Sequence, residues 1–274
     1  MNISMNKIHW REERDLFFTA IMFLTRLPTP KWVTFEERYL NECSRYFPLV
    51  GVVVGIIAAV TYSLLSLLLG PMLAIILSMS MTVLITGAFH EDGFADMCDG
   101  FGGGWEKQQI LTIMKDSRLG AYGGVGLLLI ILVKFIALLS LATQVSMTHL
   151  MARDEFSWAV VVALVVAHPL SRLFAIAYIY RLDYVQNASQ SKVKSQTQRL
   201  THNALFFAGA SVAMVLLLLD AVTVLWIVVA LVASHILFGR YMVAKIGGYT
   251  GDCLGAAQQL SEILIYLVLC AAIA

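Results

Sequence analysis

Charged residues are scarce in this chain. They make up 14% of its 274 residues, against about 25% in ordinary soluble domains. The mean hydropathy of +0.79 excludes a water-soluble globular domain. The cysteines are few as well: Cys43, Cys98, Cys253 and Cys270 are scattered with no Cys-x-x-Cys pair, which excludes a structural zinc knuckle or a dithiol redox motif. They read as reduced thiols. Internal repeats, low-complexity tracts and linkers are absent, so residues 1–274 read as a single domain. A basic start followed by a short apolar core and a small-residue cleavage site is also missing, and no cleavable signal peptide is expected. The net charge is +1, and no nucleic-acid partner is expected.

What the chain has instead is apolar runs of membrane length. A hydrocarbon core of about 30 Å needs roughly 20 helical residues, and such runs recur at Phe47 to Leu69, Met72 to Phe89, Gly123 to Leu141, Phe156 to Tyr180, Leu205 to Leu219, Ala221 to Phe238 and Leu254 to Ala274. Asp220 alone separates the fifth from the sixth. The predicted fold is an all-α polytopic bundle of about seven transmembrane helices in the lipid bilayer. A helix from Asp15 to Leu27 is too short to cross and is stopped by Pro28 and Pro30; it is expected to lie on the membrane interface. With seven spans, sixteen Lys and Arg fall on one side and only Arg153 on the other, while Lys134 and Arg172 lie within spans. The positive-inside rule then puts the N-terminus and every basic loop in the cytosol. Oligomeric state is left open, a homo-oligomer included.

One cytosolic stretch breaks the apolar pattern. Between Phe89 and Gly126 lie six carboxylates, two lysines and an arginine among glycines. If Gly93 to Gly100 continues a helix, Asp92, Asp96 and Asp99 fall at i, i+4 and i+7 and stack on one face. Three such charges repel one another. A divalent cation relieves this best, because magnesium takes a few carboxylate oxygens, waters and the oxygens of a bound phosphate. The plain alternative is a solvated loop between two spans.

Lys115, Asp116 and Arg118 follow on an expected short helix from Glu106 to Arg118. Arg offers a planar fork to phosphate oxygens and Lys a point charge; as positive-inside anchors they would need no ligand, and Lys107 is read that way. Gly102 and Gly103 permit close backbone approach to a phosphate. Before the last span, Asp252 sits in a glycine-dense turn, either as a further metal ligand or as the helix N-cap. Glu262, inside the last span, is a functional candidate or the partner of Lys134 or Arg172. Arg172, beside His168 and Pro169, either snorkels to the interface, satisfies a buried carboxylate or reaches a phosphate. His149 and His235 read as structural.

These motifs carry a resemblance. Thr25-Arg-Leu-Pro-Thr-Pro30, Phe47-Pro-Leu-Val-Gly51, His90 with Asp92-Gly-Phe-Ala-Asp-Met-Cys-Asp-Gly100, Ile113-Met-Lys-Asp-Ser-Arg-Leu-Gly120 and Gly247-Gly-Tyr-Thr-Gly-Asp-Cys-Leu-Gly-Ala256 resemble, in order and spacing, the adenosylcobinamide-GDP ribazoletransferases, or cobalamin synthases. Glu91 departs from the family, which commonly has an apolar residue there, and is left out of the ligand set. The resemblance implies a magnesium-dependent enzyme in which α-ribazole, or its 5′-phosphate, attacks adenosylcobinamide-GDP and GMP leaves. Asp92, Asp96, Asp99 and Asp252 are then the expected metal ligands, and Lys115, Arg118, Gly102 and Gly103 the phosphate contacts. Asp99, Asp116 and His90 are equal candidates for the base.

Two other classes compete. A CDP-alcohol phosphatidyltransferase or a polyprenyl-transferring enzyme shares the aspartate–magnesium–diphosphate logic, but the former expects Arg where this chain has Asp96 and lacks its trailing aspartate pair here. A divalent-cation carrier would place its acids near the midplane, where only Glu262 lies. The topology predicts that a membrane-impermeant thiol reagent applied to intact cells leaves Cys98 and Cys253 unlabelled; labelling from outside would overturn it.

Overall fold

The computed structural model describes residues 2–34, 36, 38–144, 157–185 and 200–273, most of them helical. The helices are α1 (Asn2–Leu24), α2 (Tyr39–Glu42), then a 3₁₀ turn at Cys43–Tyr46, α3 (Phe47–Leu69), α4 (Pro71–Thr86), α5 (Phe89–Gly103), α6 (Lys107–Ile113), α7 (Ala121–Gln144), α8 (Trp158–Arg181), α9 (His202–Leu216), α10 (Ala221–Ile246) and α11 (Gly251–Ile273). The starts follow local chemistry. Pro48 and Pro71 sit in the first turns of α3 and α4, where a missing N–H costs nothing. The Asp220 carboxylate accepts from the Val222 and Thr223 amides at 3.0 Å, so the residue that divides two apolar runs is the N-cap of α10.

Among the described residues five helices are long and apolar enough to cross a membrane, namely α3 with the turn before it, α7, α8, α10 and α11. Two of the seven expected spans differ. Met72 to Phe89 ends at Thr86, because Gly87 (φ 67°) and Ala88 (φ 60°) are left-handed and turn the chain by 87° into α5. At 16 residues, α4 is about 24 Å long, and α5 is a separate helix packed against the first turns of α7 and α11. The fifth run forms α9, 15 residues shifted to His202–Leu216. Expected boundaries also move at the N-terminus, where the helix begins at Asn2 and not Asp15. The short helix expected to reach Arg118 stops at Ile113. Phe156, His149, Arg153, Lys192, Lys194 and Arg199 lie outside the described residues.

Helix α8 forms the centre, packed between α3 and α11. Within lipid the hydrophobic effect does not favour helix–helix contact, so close packing of small residues must. Gly51 and Gly55 supply it: a Cβ there would stand 2.6 Å from the His168 carbonyl oxygen and 2.8 Å from that of Leu164. Outward faces carry exposed Leu64, Leu67, Leu128, Leu225 and Leu237, as lipid contact requires. α3, α7 and α11 start at one end of the bundle, and α8 and α10 finish there. At that end the Val185 amide donates to the Tyr249 carbonyl at 2.8 Å, tying the segment after α8 to the turn before α11.

Cys253 is fully buried and Cys98 partly exposed, so the thiol test of sidedness rests on Cys98 alone. The α3–α8 contact yields a stability prediction. Gly51→Ala drives a methyl into backbone that cannot give way and should lower stability in detergent by about 1–3 kcal/mol. Gly209→Ala, where nothing lies within 4 Å, should be neutral or raise it by up to about 1 kcal/mol. Thermal melting of both variants checks the pair, and equal melting temperatures would contradict it.

Candidate active site

Helix α5 places Asp92, Asp96 and Asp99 as their spacing predicts, graded from exposed through half-buried to buried. Each does something different. Asp99 Oδ2 accepts from the Gly120 amide at 2.7 Å and Oδ1 from the Gly123 amide at 2.8 Å. Those amides begin α7, so Asp99 caps a neighbouring helix and complements its positive end. Gly120 and Gly123 are glycine for this reason: a Cβ on either would meet the Asp99 carboxylate at 2.4 Å. Asp99, expected as both ligand and base, is thereby committed to two hydrogen bonds.

Asp252 joins the other acids through a close helix crossing. A Cβ on Gly93 would lie 2.9 Å from Asp252 Cα, and one on Gly255 3.1 Å from the His90 carbonyl oxygen. Lacking both side chains, α5 and the start of α11 touch backbone to backbone. The Asp96 carboxylate accordingly feels the charges of Asp252, Asp92 and Asp99, and Asp252 those of Asp92 and Lys115. Asp252 is not the cap of α11. Thr250 takes that part, its Oγ1 accepting from the Cys253 amide at 3.3 Å.

The remaining expected residues separate. Arg118 is bound to Asp116 by both an ion pair and hydrogen bonds in the loop after α6, and its side chain is 87% exposed. Those hydrogen bonds hold the Asp116 carboxyl down at about 2, which makes it a poor base in this arrangement. Gly102 accommodates the Tyr122 ring, 2.6 Å from where its Cβ would be, so its smallness also serves packing. Gly103 stays open, with only Ile113 near. His90 is buried and lies two residues from Asp92, about 200° around the helix, on the face away from the acids.

Behind the site runs a buried polar chain. Gln259 Nε2 donates to Glu91 Oε1 at 3.0 Å and to Gln258 Oε1 at 2.9 Å; Gln258 Nε2 donates to Glu262 Oε2 at 2.8 Å and to Ser171 Oγ at 3.0 Å. Lys134 Nζ stands 3.1 Å from Glu262 Oε2, and the Tyr266 hydroxyl donates to Glu262 Oε1 at 3.0 Å. Of the two partners expected for Glu262, Lys134 is the one in contact. Arg172 does not snorkel. It is 2% exposed, its NH1 donating to the His168 carbonyl at 2.9 Å. His235 stacks on Tyr178 with ring centroids 3.9 Å apart, a structural role as expected. Sequence reading missed Gln258 and Gln259; two adjacent amides in an apolar span were the available signal.

Among the described residues no three His, Cys, Asp or Glu side chains converge closely enough to hold an ion. Magnesium needs only one or two carboxylates, with waters and substrate phosphate completing its shell. Asp92, Asp96 and Asp252, oxygen donors within electrostatic reach of one another, fit it by chemistry.

The profile of cobalamin-5-phosphate synthases matches residues 16–270. The chain belongs to that family. Similar proteins include the adenosylcobinamide-GDP ribazoletransferases of Shewanella frigidimarina, 45% identical over 97% of both chains, and of Shewanella halifaxensis, 45% identical over 95% of this chain and 96% of the relative. That of Shewanella pealeana is 44% identical over equal shares. No solved structure matches. The five motifs that carried the resemblance all fall inside the matched region.

In this cobalamin-5-phosphate synthase family member the geometry separates the acids by effect on stability. Asp99→Asn turns an amide group toward the α7 amides and should cost about 1–3 kcal/mol, whereas Asp92→Asn relieves repulsion and should leave melting unchanged or slightly raised. Equal losses in both variants would contradict the capping role.

Proposed function

We propose that the chain joins adenosylcobinamide-GDP to α-ribazole, or to its 5′-phosphate, releasing GMP. The observation that carries this reading is the meeting of the α5 acid face with Asp252 across Gly93. In the reaction the oxygen of a ribose hydroxyl other than the 5′, which the phosphorylated substrate already esterifies, bonds to the phosphorus on the cobinamide side, the bond from that phosphorus to the oxygen bridging to GMP breaks, and the attacking hydroxyl gives up its proton. Charge on the diphosphate oxygens is the obstacle, and positioning with electrostatic stabilisation lowers it.

Asp92, Asp96 and Asp252 would hold magnesium, which when bound neutralises diphosphate oxygens. Lys115, within reach of Asp252, adds a positive charge on the same side. Asp99 holds the start of α7 against α5 and so fixes the wall of the site. Arg118 reaches phosphate only by leaving Asp116. The cytosolic placement is supported by Arg45, Lys115, Arg118, Arg181 and Lys245, which gather at the bundle end where α5 lies; with bacterial relatives, the membrane we propose is the inner one. The carrier reading loses its acid, since Glu262 is already neutralised by Lys134.

GMP release from adenosylcobinamide-GDP and α-ribazole tests the reading. Asp96→Asn should lower turnover about 100-fold. Saturating magnesium should protect the native protein against unfolding by about 2.7 kcal/mol at a hundred times its dissociation constant, and protect Asp96→Asn much less. Turnover of Asp96→Asn at the native rate in limiting magnesium would contradict the site.

A further inference from the structure

Against the other face of the α5–α11 crossing lies a cavity of about 80 Å³. Its side on α11 is Gly251, Leu254, Gly255 and Gln258, one stripe at i, i+3, i+4 and i+7. Phe23, Phe47 and Phe89 also line it. Phe23 and Phe89 are exposed and mark the mouth. Phe23 stacks on Phe47 with centroids 5.6 Å apart and meets Phe89 edge-on at 5.4 Å. The polar groups in the wall are His90, Arg172 and Gln258.

The wall contains an unmet donor. Arg172 is buried, and its Nε has no hydrogen-bond partner among the described residues. An occupant that brings one acceptor on an otherwise apolar frame would satisfy it. The purines of adenosylcobinamide-GDP, guanine and the adenine of its adenosyl group, differ in that respect from the base of α-ribazole. Guanine carries donors and acceptors around both rings, and phenyl-lined walls would strand most of them. The benzimidazole of α-ribazole has one nitrogen bonded to ribose, one free ring nitrogen that accepts, and carbon edges elsewhere. A benzene-sized ligand occupies a cavity of about 150 Å³, so the cavity takes the leading edge of such a base, with the rest between the mouth phenyl rings.

We propose that this cavity docks the flat apolar base of the nucleophile, with Arg172 donating to its free ring nitrogen. Nothing lies within 4 Å of where a Cβ on Gly251 would stand, and Asp252 is the next residue. That open ground lets the ribose pass from the cavity toward the acids and carries its attacking hydroxyl to the diphosphate. His90, expected as a base beside the acids, becomes a wall of the base pocket. The proposal rests on the transferase reading, and its test separates the two.

Equilibrium dialysis of benzimidazole against the full-length protein in detergent measures docking without turnover. Leu254→Phe narrows the cavity and should weaken benzimidazole binding about tenfold and raise the KM for α-ribazole about tenfold, leaving the KM for adenosylcobinamide-GDP unchanged. Phe23→Ala, at the exposed mouth, should weaken binding severalfold with an unaltered melting temperature, and it serves should Leu254→Phe fail to fold. Benzimidazole binding that neither variant weakens, or that GMP displaces, would overturn the proposal, as would no binding at all. Binding that the variants weaken in a protein that releases no GMP would uphold the pocket and reject the transferase. Native GMP release and native KM for α-ribazole in both variants would do the reverse.

Discussion

Everything at the functional end depends on two helices touching where neither has a side chain. Gly93 and Gly255 bring α5 against the start of α11 so closely that a Cβ on Gly93 would overlap Asp252 Cα at 2.9 Å. In lipid such backbone contact is how helices gain association energy. It also sets two acid-bearing segments, far apart in sequence, on one surface. Without it, Asp92 and Asp96 would face solvent alone and Asp252 would be an ordinary residue of a helix start.

The crossing is held from both sides. On one, Asp99 locks α5 to α7 through the amides of Gly120 and Gly123. On the other, Glu91, Gln259, Gln258 and Glu262 form a hydrogen-bonded line into the bundle, ended by Lys134. Buried charges in a membrane are costly unless paired, and here the pairing doubles as a brace. The acids nearest solvent are then the ones left to serve a ligand, while the deeper ones are spent on structure.

Much of this was legible in the sequence, and the failures have physical causes. Phe47 to Leu69 is a helix at both predicted ends, and the stacking of Asp92, Asp96 and Asp99 follows from spacing alone. The break after α4 was hidden, because Gly87 is a lone glycine, Ala88 beside it also adopts a left-handed φ of 60°, and the apolar run continues through both. The hold of Asp99 on the start of α7 was not legible, because a carboxylate on an acid face looks the same whether or not it meets an amide; Gly120 and Gly123 receive it, but only the fold brings them to it. Asp252 was read as a possible cap when Thr250, two residues earlier, had the right hydroxyl. The cavity around Arg172 is built from α1, α3, α5, α8 and α11, and no local pattern reports such convergence.

The central claim, that acids from α5 and α11 act on one cation, is tested by manganese binding followed by electron paramagnetic resonance in Asp92→Asn, Asp252→Asn and the double variant. Shared ligation predicts that each single change weakens binding and that the double change falls short of or exceeds their sum by a coupling of about 0.5–3 kcal/mol. Strict additivity, or a manganese affinity that Asp252→Asn leaves unchanged, would contradict it.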